Sequence, residues 1–212
     1  MSEAGGLLVT LEGIDGCGKS TQAELLQDRF KFLNIPFIPV REPGGTELGE
    51  DIRKVLLHKQ YSIPLQAELL LYMAARSELT KTVILPALRS GKVVICDRFT
   101  DSTSAYQGYG GGADLFLVKL LNDQATCRLR PHLTLLLDLS VEEAVSRRIN
   151  KADRMESKDY HFHQRVRHGY LEIASQDPQR VKIIDATMPA DLQAAEIWNY
   201  VKNLIVGDKG RG

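Results

Sequence analysis

Gly13-Ile14-Asp15-Gly16-Cys17-Gly18-Lys19-Ser20 is a run whose residue types and spacing dictate a chemistry. It fills every required position of GxxxxGK[ST], with an apolar run before it and a helix-like run after it. That context makes it a phosphate-binding loop rather than a glycine-rich turn. A triphosphate needs a ring of backbone N–H donors, and residues without a Cβ let the main chain close around phosphate oxygens. The following helix adds its positive N-terminal end. Lys19 is placed for the β- and γ-phosphates and the Ser20 hydroxyl for Mg²⁺. The ATP-binding set runs from Gly13 to Thr21.

A second constellation closes another apolar run, Val93-Val94-Ile95-Cys96-Asp97-Arg98. Asp97 is placed to hold Mg²⁺ or its water. Arg98 points into the crevice at the carboxyl ends of the strands, where ligands bind in open α/β sheets. A structural ion pair is the alternative for these two. Arg41-Glu42-Pro43-Gly44-Gly45-Thr46 ends a further run with a charge pair and a forced turn that Thr46 can cap. Two look-alikes carry less. Gly108-Tyr109-Gly110-Gly111-Gly112-Ala113 fits the dinucleotide fingerprint but follows no strand, so it reads as a flexible loop. Asn150-Lys151-Ala152-Asp153 spells a guanine-reading NKxD, yet sits in a polar loop after a helix.

The elements that must position these groups alternate. Residues 7–11, 36–40, 93–96, 133–139 and 181–184 are nearly continuous apolar runs, as expected of strands covered on both faces. Helical patterns fill residues 19–33, 47–57, 66–88, 114–126, 141–149, 159–175 and 190–204. This order predicts an α/β fold, an open parallel sheet with right-handed crossovers and helices on both faces. Residues 147–158 are polar and charged and read as an exposed loop inside one domain spanning 1–212; the last residues, from 207, read as a frayed tail.

A chain of 212 residues can bury a sizeable core without staples. Lys plus Arg and Asp plus Glu both number 27, which argues against a general nucleic-acid or polybasic membrane binder. Cys17, Cys96 and Cys127 show no disulfide or zinc spacing. With no signal peptide and no long apolar run, the expectation is a reduced, cytoplasmic protein that binds neither nucleic acid nor membrane.

Taken together, Leu11-Glu12-Gly13-Ile14-Asp15-Gly16, the Arg41 to Thr46 run, Asp97-Arg98-Phe99 and Asp101-Ser102-Thr103-Ser104-Ala105-Tyr106-Gln107-Gly108 resemble the thymidylate kinases. The resemblance covers most of the chain. It implies a P-loop nucleoside-monophosphate-kinase-like fold with a five-stranded parallel sheet and a mobile LID at residues 147–158. It further implies transfer of a phosphoryl group from Mg·ATP to dTMP, with Mg²⁺ as the ion, ATP and dTMP as the partners, and a homodimer. By resemblance, Asp15 sits by the 3′-hydroxyl of dTMP, Arg98 clamps the acceptor phosphate and Arg41 flanks it. Tyr72 and Arg76, four residues apart on one helix face, form the base pocket, although Tyr72 read alone is core. Thr103, Tyr106 and Gln107 lie near base and sugar. The P-loop has no arginine at Gly16, whereas Arg147, Arg148 and Arg154 lie in the LID. The chain thus resembles the type whose LID supplies the catalytic arginine, with Arg154 the first choice and Arg148 the second, alongside Lys19 and Arg98.

Overall fold

Apolar runs that cannot face water on either side settle the architecture. β1 (Leu7–Glu12) is buried throughout, and β3 (Val93–Asp97) and β4 (Leu133–Asp138) nearly so. With β2 (Phe37–Arg41) and β5 (Val181–Asp185) they form a five-stranded parallel sheet in the order β2-β3-β1-β4-β5. The computed structural model describes residues 5–147 and 153–209. Alternate side chains of β1 serve two cores. Leu7, Val9 and Leu11 join one core, and Leu8 joins the other with Val94, Cys96 and Phe99.

The chain leaves β1 in one direction to build β2 and β3, then crosses β1 to build β4 and β5. The strand order therefore reverses at β1, and a crevice opens above the carboxyl ends of β1 and β3, as the switch-point rule requires. β1 pairs Leu11 with Asp97 of β3 and Glu12 with Leu136 of β4, so the two chemical runs end side by side.

The helices are α1 (Lys19–Phe32), α2 (Glu47–Leu57), α3 (Leu65–Leu79), α4 (Leu85–Arg89), α5 (Thr100–Thr103), α6 (Leu115–Ala125), α7 (Val141–Ser146), α8 (Tyr160–Gln176) and α9 (Ala190–Lys209). Thr46, Asp114, Ser140 and Asp159 each accept a backbone N–H at a helix start. The expected helix over 66–88 is interrupted by a π turn, Thr80–Ile84. Pro86, in the first turn of α4, has no N–H to continue the regular ladder, and the wider turn absorbs the gap.

The glycine run expected as a flexible loop over residues 108–113 departs furthest from expectation. Gly108 to Gly110 end a second π turn, Ser104–Gly110, which continues α5 and packs against α8, and of that run residues 111–113 alone are irregular. A side chain at Gly110 would run into Val166 and Phe162 of α8, so glycine here permits close approach of two elements. Tertiary burial overrides a glycine run that reads locally as a loop. α7 ends sooner than expected, at Ser146, and α9 runs later, to Lys209.

Candidate active site

The phosphate loop follows β1 directly. Gly13, Gly16 and Gly18 take φ of 137°, 92° and 99°, a left-handed region that side-chain-bearing residues resist. Ile14 and Cys17 are buried beneath the loop as part of the core, so they offer a ligand their main chain only. The Lys19 ammonium lies against the Gly13 and Ile14 carbonyls at 3.1 and 2.9 Å. Ser20 donates to Asp97 at 3.3 Å, while the other Asp97 oxygen, Oδ1, is buried and has no hydrogen-bond partner among the described residues. Loop, Thr21, Arg41, Asp97, Arg98 and Arg147 line one crevice of about 850 Å³. Exposed Arg41 pairs with Glu50 of α2 rather than standing free.

Arg98 stands between this crevice and a second cavity and lines both, as Asp15 does. It sits at φ 69°. Its guanidinium donates to the Gly13 carbonyl, Ser102 and Tyr170 at 3.0 to 3.2 Å, and pairs with Asp15. Burial alone raises an aspartate, but Arg98 and Lys19 outweigh it, and the Tyr106 hydroxyl donates to Asp15 at 2.7 Å; Asp15 is held well below the usual carboxylate range. Beneath Arg98, Glu12 accepts from Ser102 at 2.5 Å, from the Phe99 N–H at 2.7 Å and from Tyr170 at 3.0 Å. Burial, followed by the charge of Asp101, pushes Glu12 up to about 7.

The second cavity is lined by Asp15, Glu42, Arg53, Tyr72, Arg76, Arg98, Thr103, Tyr106, Gln107 and Met155 among others. The sequence-derived base and sugar residues are thus brought together, on α3, α5 and the second π turn. Arg76, 2% exposed, has little left to offer a ligand. Its Nε donates to Glu42 at 2.6 Å, Nη1 to Thr103 and Asn122 at 2.7 and 2.5 Å, and Nη2 to the Phe99 carbonyl at 2.9 Å. Burial raises Glu42 above the usual carboxylate range against the pull of Arg76. The Tyr72 hydroxyl, raised by burial, takes no hydrogen bond among the described residues.

Arg154 is not at the phosphate loop. It is buried, with Nε on the Leu56 carbonyl at 2.6 Å and its guanidinium 2.6 Å from Glu68 of α3. Arg148 lies outside the described residues, as do Asn150, Lys151 and Ala152. Arg147 is the described LID arginine that lines the phosphate crevice, and it donates to the Ala186 carbonyl at 2.9 Å. Sequence reasoning missed Glu12, Glu68, Asn122 and Tyr170. The only signal for Glu12 and Glu68 is a carboxylate inside an apolar run, Leu7 to Glu12 and Leu65 to Met73.

A parallel 2-3-1-4-5 sheet, a phosphate loop after its first strand and an arginine bridging that loop to an adjoining cavity define a P-loop kinase of the nucleoside-monophosphate-kinase type. The family model described as thymidylate kinase matches residues 11–197. The chain belongs to the thymidylate kinase family and is an enzyme, a nucleotide-binding phosphotransferase. It is 46% identical over 187 residues to the thymidylate kinase of Kosmotoga olearia, covering 87% of this chain and 90% of that one. A Synechococcus thymidylate kinase (strain JA-2-3B'a(2-13)) is 48% identical over 197 residues, covering 92% and 94%. The crystal structure of thymidylate kinase from Ehrlichia chaffeensis superimposes with a TM-score of 0.78 at 35% identity, covering 92% of this chain and 98% of that one.

Proposed function

We propose that the enzyme transfers the γ-phosphoryl group of Mg·ATP to the phosphate of dTMP, giving dTDP and ADP. The observation that carries this reading is Arg98, a guanidinium lining both the phosphate crevice and the acceptor cavity. A fork of donors suits a phosphate dianion. An acceptor phosphate oxygen attacks the γ-phosphorus as the bond to the β–γ bridging oxygen breaks, and ADP leaves with that electron pair. The acceptor is already anionic, so no strong base is required. The protein positions the two groups in line and offsets their charge.

Lys19 would swing from the loop carbonyls to the β- and γ-phosphates. Asp15 and Tyr106, hydrogen-bonded to each other, would face the sugar, and Tyr72 would stack on the base, with Thr103 and Gln107 at the cavity wall. Ser20 and Asp97 suit a magnesium ion, since they are oxygen donors and Asp97 Oδ1 is buried with no partner among the described residues; when bound with ATP the ion would neutralise phosphate charge. Among the described residues no cluster of three or more His, Cys, Asp or Glu could hold a metal, so ATP oxygens and water would complete the shell.

The oligomer we infer is a homodimer. Leu48 and Val55 on α2, Leu70 on α3, and Leu115, Phe116 and Leu120 on α6 are exposed, and α3 packs between the other two helices. Exposed apolar side chains on neighbouring helices suit a contact with a second copy of the chain. Sedimentation at micromolar concentration is expected to give twice the chain mass; a monomer would remove the inference. Among the described residues no helix is long and apolar enough to cross a membrane. The three cysteines are free, and we assign the enzyme to the reducing cytoplasm.

The test is ADP release from Mg·ATP with dTMP, dUMP, dCMP, GMP, AMP and thymidine supplied separately. Turnover with dTMP, weaker turnover with dUMP and none with thymidine is the expected pattern. Turnover only with another acceptor would keep the kinase and overturn the base pocket.

A further inference from the structure

Glu68 is a buried carboxylate that the phosphoryl-transfer reaction does not use. It is 4% exposed on α3, and both of its oxygens are engaged. Oε1 accepts from Gln107 Nε2 at 2.8 Å, and Oε2 is 2.6 Å from the Arg154 guanidinium. Arg154 is in turn fixed by the Leu56 carbonyl at the end of α2, and its own N–H donates to the Leu57 carbonyl at 3.3 Å. Leu57 and Met155, the neighbours of these contacts, line the acceptor cavity together with Gln107.

The chemistry of a carboxylate makes this arrangement directional. An ionised carboxylate only accepts, so Gln107 must turn its NH₂ toward Glu68. The amide oxygen is then committed to the other side, and it takes no hydrogen bond among the described residues while Gln107 lines the cavity. A fixed acceptor in that wall matches the N3–H of thymine or uracil. It meets the lone pair of cytosine N3 with another lone pair. A site built to hydrogen-bond one edge rejects an edge with the opposite polarity, because a buried polar group is then left unpaired.

We propose that Glu68 and Arg154 form a positioning relay that fixes the amide of Gln107, so that the cavity selects pyrimidines bearing an N3–H over cytosine. Arg154 holds the carboxylate in place and anchors the segment carrying Met155. Neither residue touches the transferring phosphoryl group. The relay rests on the reading of the second cavity as the nucleotide acceptor site.

The test compares kcat and KM for dTMP and dCMP in the wild type and in Glu68→Gln, Arg154→Met and Arg154→Lys. Glutamine at 68 can donate as well as accept, so it no longer dictates which way the Gln107 amide faces. In Glu68→Gln the preference for dTMP over dCMP, as a ratio of kcat/KM, is expected to fall roughly 10- to 100-fold. KM for dTMP should rise, while kcat at saturating dTMP and KM for ATP stay within about threefold. Arg154→Met moves the ratio in the same direction, and Arg154→Lys, which keeps the charge, restores most of it. Thermal melts accompany each variant; if Glu68→Gln does not fold, the two Arg154 variants carry the test alone. An unchanged dTMP to dCMP ratio in the folded variants overturns the relay. So does a roughly 10³-fold loss of kcat in Arg154→Met with KM and the ratio unchanged, which would make Arg154 a phosphate contact. A wild type that turns over dTMP with variants that keep its preference defeats the relay alone. A wild type inactive with dTMP defeats the acceptor reading and the relay with it.

Discussion

At the phosphate loop the groups offered to a ligand are largely main-chain N–H groups from one short run, helped by Lys19 and Ser20. The acceptor cavity next to it is assembled from side chains on α2, α3, α5, the second π turn and the segment after α7. The two also differ in how their charges are kept. Arg41 and Glu50, at the crevice rim, pair in the open with side chains 55% and 37% exposed. Arg76–Glu42 and Arg154–Glu68 are buried pairs whose side chains are all 8% exposed or less. A loop of backbone donors is tolerant of its surroundings, whereas a cavity of buried ion pairs works only when every partner is present.

That contrast predicts a ranking of effects. The largest belongs to Arg76→Met, which leaves Glu42 buried beside an empty site and takes donors from Thr103, Asn122 and the Phe99 carbonyl. Loss of one partner from such a pair should cost about 3–5 kcal/mol, measured by urea unfolding. A change below 1 kcal/mol would show that the network is not a structural support.

Lys19→Ala comes next. It should lower kcat by roughly 10²- to 10³-fold, about 2.7–4 kcal/mol of barrier, through loss of charge at the transferring group. The fold should survive, since the hydrogen bonds of the Lys19 ammonium among the described residues go to loop carbonyls and Cys17 within its own loop. Near-normal steady-state turnover would move the catalytic charge elsewhere.

A third prediction concerns pH. Because Glu12 is raised to about 7 in the folded protein, the native state holds that proton more firmly than the unfolded chain does between the ordinary carboxylate value and about 7. Its contribution to stability is therefore present at lower pH and declines as pH rises through that window. Glu12→Gln should destabilise less at pH 8 than at pH 5, followed by denaturant midpoints across the range. Equal destabilisation at both ends would mean that Glu12 is ionised throughout.

The smallest effect belongs to the rim. Glu50→Gln, which weakens the exposed pair with Arg41, should change stability by only about 0.2–1 kcal/mol, and less at high salt. A loss comparable to that of Arg76→Met would erase the distinction between the two regions.

The same difference explains what could be read before the fold was known. Lys19, Ser20, Asp97 and Arg98 were legible from the residues because a contiguous loop and a charged strand end carry their context with them. The five strands were legible too, since runs buried on both faces leave no ambiguity of period. Tyr72, Arg76, Thr103, Tyr106 and Gln107 came from resemblance alone, because what joins them is packing between α3, α5 and the second π turn. Gly108 to Gly110, the end of that π turn, were read as part of a flexible loop because the glycine run follows no strand, and only α8 against Gly110 reveals why glycine is there. Arg154 lies in a charged stretch that reads as solvated, yet its partner, Glu68, is 86 positions earlier in the chain and no local pattern connects them.

Whether Arg98 reads the acceptor's phosphate is decided by the affinities of dTMP and thymidine, measured by titration calorimetry in the wild type and in Arg98→Met. Comparing the two ligands within each protein cancels any general effect of the substitution on the cavity. The wild type should bind dTMP about 10- to 100-fold more tightly than thymidine, the range of one or two hydrogen bonds to a charged group. In Arg98→Met that gap should close to within a few-fold. A gap that stays unchanged in the variant would place the acceptor phosphate away from Arg98.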